Sequence, residues 1–357
     1  MTIRKVCLVT CYKDPNYIRV KTIESGLLVA KVDLSIIRNK HKGIQRYPEV
    51  ILKLIKSRFT TKPDVYLITF RGYEILPFVL LIGLGKKVIF DEFINLIEWL
   101  SYEHKKIKQG SMLYKIVYFI YRFMLKSTDR IISDTDSHAK FSSELMNIPL
   151  DKYLPIPVST DEAIFTPVAK RKKAPEKMQV FYYGSMLPLH GLQYVIDAAI
   201  KLKDLKDLEF LLIGGGDSTY VQVNKAIKKG ANINYKKWVP FIDLPNIIRD
   251  TDVCLGGPFG STIQSKFVVT GKTYQFLRMG KTVIVGENEE SGIFTDKKDS
   301  MIVKQADSSA LGNAIRWLYD NRSKLDQIGH AGAKLYDNKL SNVAVSKRIT
   351  TLINEVI

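Results

Sequence analysis

Short runs rich in β-branched residues alternate with amphipathic stretches along this chain, and the alternation occurs in two separate series. In the first series the predicted strands are Lys5–Thr10, Val32–Arg38, Val65–Phe70, Lys87–Asp91 and Arg130–Asp134, with helical patterns between them. In the second series they are Gln179–Tyr183, Glu209–Ile213, Ile233–Val239, Asp252–Leu255 and Thr282–Val285, with helices at Leu192–Leu202, around Tyr220–Lys229 and at Lys272–Met279. Such alternation predicts an α/β protein with two parallel sheets, whose binding sites lie beyond the carboxyl ends of the strands.

The segment between the two series predicts the domain boundary. Residues 166–178 are charged, include two prolines and lack apolar periodicity, which is typical of an exposed linker. We therefore expect an N-terminal domain over residues 1–165, a linker over 166–178 and a C-terminal domain over 179–340. Residues 341–357 have apolar side chains at nearly helical spacing, and they predict a helix that packs back on the N-terminal domain.

Composition narrows the class of protein. The 357 residues exceed the ~100–200 of one domain, and 46% hydrophobic residues exclude a disordered chain. The 54 Lys and Arg exceed the 36 Asp and Glu, a net charge of +18 that predicts attraction to polyanions. The three cysteines have no C-x-x-C spacing, which fits a reducing cytoplasm. We expect the N-terminus to be a β-strand rather than a signal peptide, and we expect no transmembrane helix.

Three glycine-containing turns of the second series each lie between a predicted strand and a predicted helix, or begin such a helix. They are Gly184–Gly191, Gly214–Gly216 and the segment from Gly271 to Gly280. Exposed backbone N–H groups and the positive end of a helix at such turns suit a phosphate. The alternative is a set of tight turns that bind nothing, and no G-x-G-x-x-G or Walker sequence is present.

Lys272 and Gln275 are the polar candidates of the third turn. A cation at a helix start is unfavourable unless an anion lies beside it, so Lys272 is predicted to contact a phosphate. Gln275 lies three positions further along, on the same predicted helix face, where it could hydrogen-bond sugar hydroxyls. For both residues the alternative is an ordinary solvated surface position.

The order and spacing of the three turns resemble the nucleotide-sugar half of GT-B glycosyltransferases, specifically the retaining glycosyltransferase family 4. Gly184, Gly191, Gly214, Gly216 and Gly280 occupy the family's glycine positions, and the resemblance covers most of residues 179–320. Outside that region it extends to the α/β alternation and to the segment CYKDPNYIRVKTIESGL. The resemblance implies two Rossmann-like domains facing each other across a cleft, a nucleotide diphosphate sugar as donor, and no cofactor.

The sequence departs from the family pattern at the residues that bind the donor. The family's diphosphate-binding Arg and Lys fall on Ser185 and His190, and its paired glutamates fall on Phe267 and Gln275. The resemblance then places Gly184, Ser185 and His190 at the diphosphate, Gln275 at the ribose and Trp238–Phe241 near the base. The missing cationic contacts would have to be replaced, with Lys272 as first candidate and Lys266 as second. A branch of related sequences with a Gly-Ser and His-Gly turn and a Lys-x-Tyr-Glu helix is the nearer match.

Two carboxylates end a predicted strand of the first series. Asp91 and Glu92 lie where an acceptor would bind, so they could hydrogen-bond its hydroxyls or polarise the attacking one. The alternative is a solvated loop or a helix cap, and the resemblance implies no obligatory enzymic base, because the leaving diphosphate can take the proton. The candidate catalytic residues are therefore Asp91, Glu92 and His190. The candidate donor-binding residues are Gly184, Ser185, Gly191, Gly214, Gly216, Val239, Pro240, Lys266, Gly271, Lys272 and Gln275.

We predict no metal site, because the five histidines are scattered and Asp134-Thr135-Asp136 lacks the context of a metal-binding pair. Asp134 and Asp136 are instead predicted to end a strand and to cap the helix that begins near His138.

The basic residues of the first half predict either a lipid surface or a nucleic acid as partner. Residues 31–62 carry nine basic side chains against two acidic ones, and Lys105, Lys106 and Lys108 precede the apolar, aromatic stretch 111–126. Such a pairing could lie on an anionic membrane surface, whereas the alternative is that 111–126 is a helix facing the core. No nucleic-acid recognition motif accompanies the charge, so the membrane is ranked first.

Together these features predict a cytoplasmic glycosyltransferase, peripheral at the inner face of the cytoplasmic membrane. It would transfer a hexose, without a metal, from a nucleotide diphosphate sugar to a glycan or lipid-linked glycan in polysaccharide or glycoconjugate synthesis, and the family resemblance implies that the transfer retains the anomeric configuration. The alternatives are a catalytically silent nucleotide-sugar-binding subunit, a GT-B sugar-nucleotide 2-epimerase and a non-enzymatic polyanion-binding protein.

Overall fold

The structure, a computed structural model, describes residues 4–167 and 177–356. It divides into two units, the first comprising the chain up to Ser159 together with the segment from Asn342, the second comprising Thr160–Ser341. Most of the predicted linker, residues 168–176, lies outside the described residues. Among the described residues, no helix combines the length and apolarity needed to cross a bilayer.

The first unit is a parallel sheet of six strands with helices on both faces. Its strands are β1 (Lys5–Thr10), β2 (Asp33–Arg38), β3 (Val65–Ile68), β4 (Lys87–Asp91), β5 (Arg130–Ser133) and β6 (Tyr153–Pro155), in the order β2-β1-β3-β4-β5-β6. Its helices before the second unit are α1 (Ile18–Val29), α2 (Arg46–Thr60), α3 (Leu76–Ile82), α4 (Met112–Ser127) and α5 (Asp136–Met146). The five predicted strands are confirmed. β3 ends before the predicted Phe70, because Phe70 and Arg71 have positive φ and turn the chain out of the sheet.

The second unit repeats this architecture. Its strands are β7 (Met178–Gly184), β8 (Leu208–Gly214), β9 (Ile233–Lys236), β10 (Val253–Leu255), β11 (Thr282–Glu287) and β12 (Met301–Lys304), in the order β12-β11-β10-β7-β8-β9. Its helices are α6 (Leu192–Lys201), α7 (Asp217–Lys228), α8 (Leu244–Asp250), α9 (Gly271–Arg278), α10 (Ser308–Asp320) and α11 (Leu325–Lys339). β9 is three residues shorter than predicted, because Lys236 pairs with Ile213 and β8 turns away one residue later.

The last helix, α12 (Asn342–Val356), completes the first unit by packing on α1. Gly26 permits the close approach, since a Cβ at that position would lie 2.2 Å from Cδ1 of Ile349. Arg4 donates to the Ile353 carbonyl at 2.8 Å, and Arg348 donates to the Pro155 carbonyl at 2.9 Å. The helix therefore covers the face of the sheet that α2, α3 and α4 leave open.

Candidate functional site

The site of the second unit lies where its strand order reverses. The chain runs from β7 outward through β8 to β9, then returns to β10 on the other side of β7. β7 therefore pairs with both β8 and β10 in parallel, and the turns that follow these strands meet at one edge of the sheet. In open α/β sheets this reversal leaves a crevice beyond the strand ends, which is the usual ligand position.

The turn after β7 depends on two glycines. Gly184 has φ +148°, and Gly191, which precedes α6, has φ +66°. A Cβ on Gly191 would lie 2.5 Å from the Gly260 nitrogen, so only glycine lets the two backbones approach this closely. The Gly260 N–H donates to the Leu189 carbonyl at 2.9 Å, which fixes the turn against the loop that follows β10.

Gly214 and Gly216, both predicted to bind the donor, have different surroundings. Gly214 has φ +113°, and a Cβ there would lie 2.0 Å from the Gly184 carbonyl oxygen. Gly216 precedes α7 with φ −121°, and nothing lies within 4 Å of the Cβ position. Gly214 therefore allows the turns after β7 and β8 to pack closely, whereas the space around the Gly216 Cβ position is empty.

This contrast predicts different effects of the same substitution. Gly214→Ala is expected to lower the free energy of unfolding by about 2 kcal/mol, because the new methyl group must displace backbone. Gly216→Ala, the matched control, should stay within about 0.5 kcal/mol of the parent. Urea unfolding of the two variants measures the difference, and equal stabilities would contradict the observed packing.

Lys272 is the principal charged group at the turn. Its side chain is 6% exposed, and its Nζ has no hydrogen-bond partner among the described residues. It lies 4.3 Å from the centroid of the Tyr182 ring and 3.9 Å from the position of a Cβ on Gly184. Burial lowers the pKa of Lys272 to about 7. The alternative of a solvated surface lysine is wrong, and the ammonium is a buried cation aimed at the glycine turn.

His190 lies beside the same turn, close to the Gly184 position that Lys272 approaches. Its Cε1 is 3.3 Å from the Gly184 Cβ position, and its Nδ1 is buried without a hydrogen-bond partner among the described residues. Burial, with a smaller contribution from the Lys272 charge, lowers the pKa of His190 to about 2. The imidazole is therefore neutral, and either ring nitrogen that carries the proton can donate to an oxygen without adding charge.

Gln275 is half-buried on the same helix as Lys272, so it is not the fully solvated residue of the alternative, and its predicted contact with a sugar stays a prediction. The Tyr183 hydroxyl donates to its Oε1. This contact engages the amide oxygen, and it leaves the amide nitrogen as the atom that could donate to a ligand. Thr270, just before α9, donates to the Gly256 carbonyl at 2.6 Å, and its side chain does not cap the first turn of α9.

The remaining predicted donor-binding residues are exposed or half-buried. Ser185 and Gly271 are exposed, at the turn after β7 and at the first position of α9. Val239 is half-buried and Pro240 exposed, both after β9. Lys266 is exposed in a short 3₁₀ turn, Gln264–Lys266. Their roles stay predictions.

Sequence reasoning missed two contributors to this site. Tyr182 is buried, donates to the His190 carbonyl at 2.6 Å and presents its ring to Lys272. The glycine-rich loop after β10, residues 256–260, packs on the turn that carries His190. Its three glycines within five residues were the available signal, whereas nothing in the sequence pairs Tyr182 with Lys272.

Asp91, predicted to be catalytic, is fully buried in the first unit and bonded to Arg19. The Arg19 guanidinium donates to both carboxylate oxygens, with the shortest contact 2.8 Å, and the Phe70 N–H donates to Oδ2 at 3.2 Å. Arg19 also donates to the Ile156 and Pro157 carbonyls. The predicted alternative of a solvated loop or helix cap is wrong for Asp91. Its surroundings favour a structural role, and its catalytic role stays a prediction.

Glu92 is also buried, and it accepts hydrogen bonds from Tyr121 at 2.6 Å, Ser142 at 2.5 Å and Asn95 at 3.0 Å. Burial raises the pKa of Glu92 to about 7, although the hydroxyl donors oppose the shift. The solvated alternative is therefore wrong for Glu92 as well. Its predicted catalytic role stays a prediction.

The expected cap of α5 needs correction. Thr135, rather than Asp134 or Asp136, caps the helix by accepting from the His138 N–H. Asp134 instead contacts His138 Nδ1 at 2.6 Å. The side chain at the residue before the helix has the geometry to reach the third N–H, which is why threonine takes this role. Within residues 4–167 and 177–356, no group of three His, Cys, Asp or Glu side chains is arranged to hold a metal ion.

Comparisons with known proteins give the following matches. Residues 177–321 match the family model described as glycosyl transferases group 1. HepE from Anabaena, solved in complex with UDP-glucose, superposes with a TM-score of 0.72 at 10% identity, covering 99% of this chain and 100% of that one. A glycosyltransferase from Rickettsia africae superposes with a TM-score of 0.73 at 14% identity, covering 100% of this chain and 99% of that one. Sucrose-phosphate synthase from Thermosynechococcus elongatus superposes with a TM-score of 0.72 at 13% identity, covering 99% of this chain and 98% of that one. None of the curated proteins matches the sequence.

Proposed function

We propose that this chain, which has the GT-B fold and whose residues 177–321 match the group 1 glycosyltransferases, is a retaining glycosyltransferase that transfers a hexose from a UDP-sugar to a glycan. The observation that supports this donor is the ammonium of Lys272, buried without a hydrogen-bond partner beside Gly184 and His190. A desolvated cation is unfavourable without a counter-ion. A diphosphate at the turn after β7 would provide one.

The residues around Lys272 fit a diphosphate better than a neutral ligand. The residues before Leu192 and Gly271 make no side-chain cap, so the first two N–H groups of each helix could donate to an anion, whereas the third already donates to a backbone carbonyl. The neutral imidazole of His190 can add a donor beside Gly184, near Lys272. Lys272 thus replaces the cationic contacts that the family places at the positions of Ser185 and His190.

Retention sets how the proposed reaction proceeds. The bond from the anomeric carbon to the β-phosphate oxygen breaks, and a bond to the acceptor oxygen forms on the same face of the sugar. The acceptor hydroxyl's proton passes to the departing diphosphate. Lys272 would stabilise the charge that develops on that diphosphate, which is where a cation in a water-poor site contributes most.

We propose uridine as the base because HepE, which shares this fold, was solved with UDP and with UDP-glucose. The half-buried Val239 and exposed Pro240 would flank the base, and the amide nitrogen of Gln275 would donate to the ribose. Backbone groups and apolar faces contribute most of the contact to a base in such positions.

On the acceptor side, we propose a glycan carried on a lipid, as in cell-surface polysaccharide or glycoconjugate synthesis. The first unit would bind it, and the enzyme would work at the cytoplasmic face of the membrane. The three cysteines are buried and form no disulfide among the described residues, which suits a reducing compartment. The net charge of +18 suits an anionic lipid surface.

Binding of the donor is expected to depend on pH through Lys272. A bound diphosphate restores the charged form, so a proton is taken up wherever the free lysine is neutral, that is above about pH 7. Affinity for UDP-glucose should therefore fall more than about tenfold from roughly pH 6.5 to roughly pH 8.5. Titration calorimetry in buffers of different ionisation enthalpy measures the uptake, and a pH-independent affinity would contradict it.

A thermal-shift screen of nucleoside diphosphates and their sugars tests the donor, since a ligand of the folded state raises its stability. UDP and UDP-hexoses should raise the melting temperature most. Product analysis then separates the alternatives. Donor hydrolysis or glycosyl transfer supports the proposal, binding without turnover indicates a silent subunit, and a 2-epimer formed without acceptor indicates an epimerase.

A further inference from the structure

The outer surface of α2, α3 and α4 is apolar. All three helices bury their inner sides on the same face of the first sheet, through Leu54, Val79 and Leu125 among others, in one hydrophobic cluster. α3 packs against both of its neighbours, and Arg58 of α2 donates to the Leu84 carbonyl just beyond α3 at 2.9 Å. Their outer sides therefore form one continuous surface.

We call six side chains of this surface the apolar patch. They are Leu52, Phe59, Leu81, Ile116, Phe119 and Phe123, each between 44% and 72% exposed. Within α2 and α4 they recur at spacings of three, four and seven residues, on the side of the helix opposite its buried residues. The predicted alternative for 111–126, a core-facing helix, holds only for the side that carries Tyr121, Met124 and Leu125. A folded protein seldom exposes so many large apolar side chains together without a partner.

Basic side chains border the apolar patch. We call them the basic rim, and they are the exposed residues Lys56, Lys62, Lys105, Lys108, Lys115 and Lys126. Across residues 46–62, 76–86 and 104–127 the sequence has one acidic residue, Glu49. Its carboxylate already accepts from Lys53 and from the N–H groups of Lys40 and His41. The surface therefore combines apolar area with uncompensated positive charge.

We propose that the apolar patch and basic rim dock the protein on the surface of an anionic lipid bilayer. Apolar side chains would enter the boundary between head groups and acyl chains, while the lysines contact acidic head groups. A second copy of this chain would bring two like-charged rims together, which opposes self-association through this face. The docking on the bilayer does not depend on the proposed function. Only its purpose, which is to bring the site to a lipid-borne acceptor, rests on that function.

Sedimentation with extruded vesicles tests the docking in the absence of any substrate. The full chain should bind vesicles of phosphatidylcholine with roughly 30% phosphatidylglycerol and bind pure phosphatidylcholine far more weakly. Raising salt from about 0.1 M to about 0.5 M should weaken the binding, because the rim charges become screened.

Two sets of variants assign the binding to this surface. Lys56→Gln/Lys115→Gln/Lys126→Gln should lower partitioning about a hundredfold. Leu81→Gln/Phe119→Gln/Phe123→Gln should lower it at least about tenfold. The helix α7 of the second unit and Lys229, which follows it, provide matched controls, since they also expose apolar and basic side chains. Val221→Gln/Ile227→Gln and Lys225→Gln/Lys228→Gln/Lys229→Gln should change partitioning by less than about twofold.

Binding of UDP-glucose in solution keeps this test separate from that of the proposed function. Variants that lose vesicle binding but still bind UDP-glucose support the docking surface. Equal partitioning of all variants, or equal binding to neutral and anionic vesicles, would overturn it. A concentration-dependent dimer that the patch variants abolish, without vesicle binding by the parent, would assign the surface to a second copy instead. If the protein bound vesicles but did not bind UDP-sugars, the docking proposal would be supported and the proposed donor would be refuted.

Discussion

Replacing Asp91 by alanine is expected to lower the free energy of unfolding by about 3–5 kcal/mol. The reason is that Arg19, itself fully buried, would keep its charge and lose its only ion-pair partner among the described residues. The three backbone carbonyls that Arg19 also contacts, of Ser133, Ile156 and Pro157, satisfy donors but do not neutralise the guanidinium. Urea unfolding followed by circular dichroism measures the loss.

The double variant Arg19→Met/Asp91→Asn is the control. It removes both charges, and the asparagine oxygen can still accept from the Phe70 N–H. A buried ion pair replaced by neutral groups of similar size is often close to neutral in stability, so most of the loss should be recovered. If Asp91→Ala instead kept its stability and lost only transferase activity, Asp91 would be catalytic rather than structural.

Replacing Lys272 by methionine is expected to weaken nucleotide diphosphate binding and to stabilise the unliganded protein. The lost charge-assisted contact corresponds to about 1.5–3 kcal/mol of binding free energy, roughly tenfold to more than a hundredfold in affinity. Stability should rise by on the order of 2 kcal/mol at neutral pH, because an apolar side chain of similar length removes the desolvated charge, while the loss of the Tyr182 ring contact offsets part of the gain.

The stability gain should also depend on pH. Between about pH 7 and pH 10.5 the unfolded chain binds a proton at Lys272 that the folded protein does not, so the parent becomes more stable as pH rises. The advantage of Lys272→Met is therefore full below pH 7 and fades towards pH 10.5. Calorimetry at several pH values measures this trend.

Lys281 is the matched control for Lys272. It is similarly buried, but its Nζ donates to the Arg249 carbonyl at 3.0 Å. Lys281→Met should therefore lower stability and leave nucleotide binding unchanged. If both methionine variants behaved alike, or if Lys272→Met lost stability as well as binding, Lys272 would be an ordinary structural lysine.

The sequence periodicity of apolar residues was sufficient to predict most strands of both sheets, but it did not predict one edge strand in each sheet. All ten predicted strands exist, since each carries a β-branched run between helical patterns. β6 and β12 were not predicted. Each is an edge strand of three or four residues, and such a run is too short to show a period.

Only those parts of the site that are formed by residues close in sequence could be predicted. The turn from Gly184 to Gly191 and the helix that begins at Gly271 were found, because glycine patterns mark turns between strands and helices. The burial of Lys272 could not be predicted, since it depends on Tyr182, ninety positions earlier. For the same reason the sequence suggested a catalytic Asp91, whose partner Arg19 lies 72 positions away. Local patterns locate turns, but the tertiary structure decides which charges are paired.

The measurement that tests the donor site most directly is a crystal structure with a UDP-sugar bound. We expect a β-phosphate oxygen within hydrogen-bond distance of Lys272 Nζ, at the turn after β7, with the His190 ring also beside Gly184. A pyrophosphate bound elsewhere, with the Lys272 ammonium still without a partner beside Tyr182, would contradict the proposed donor site.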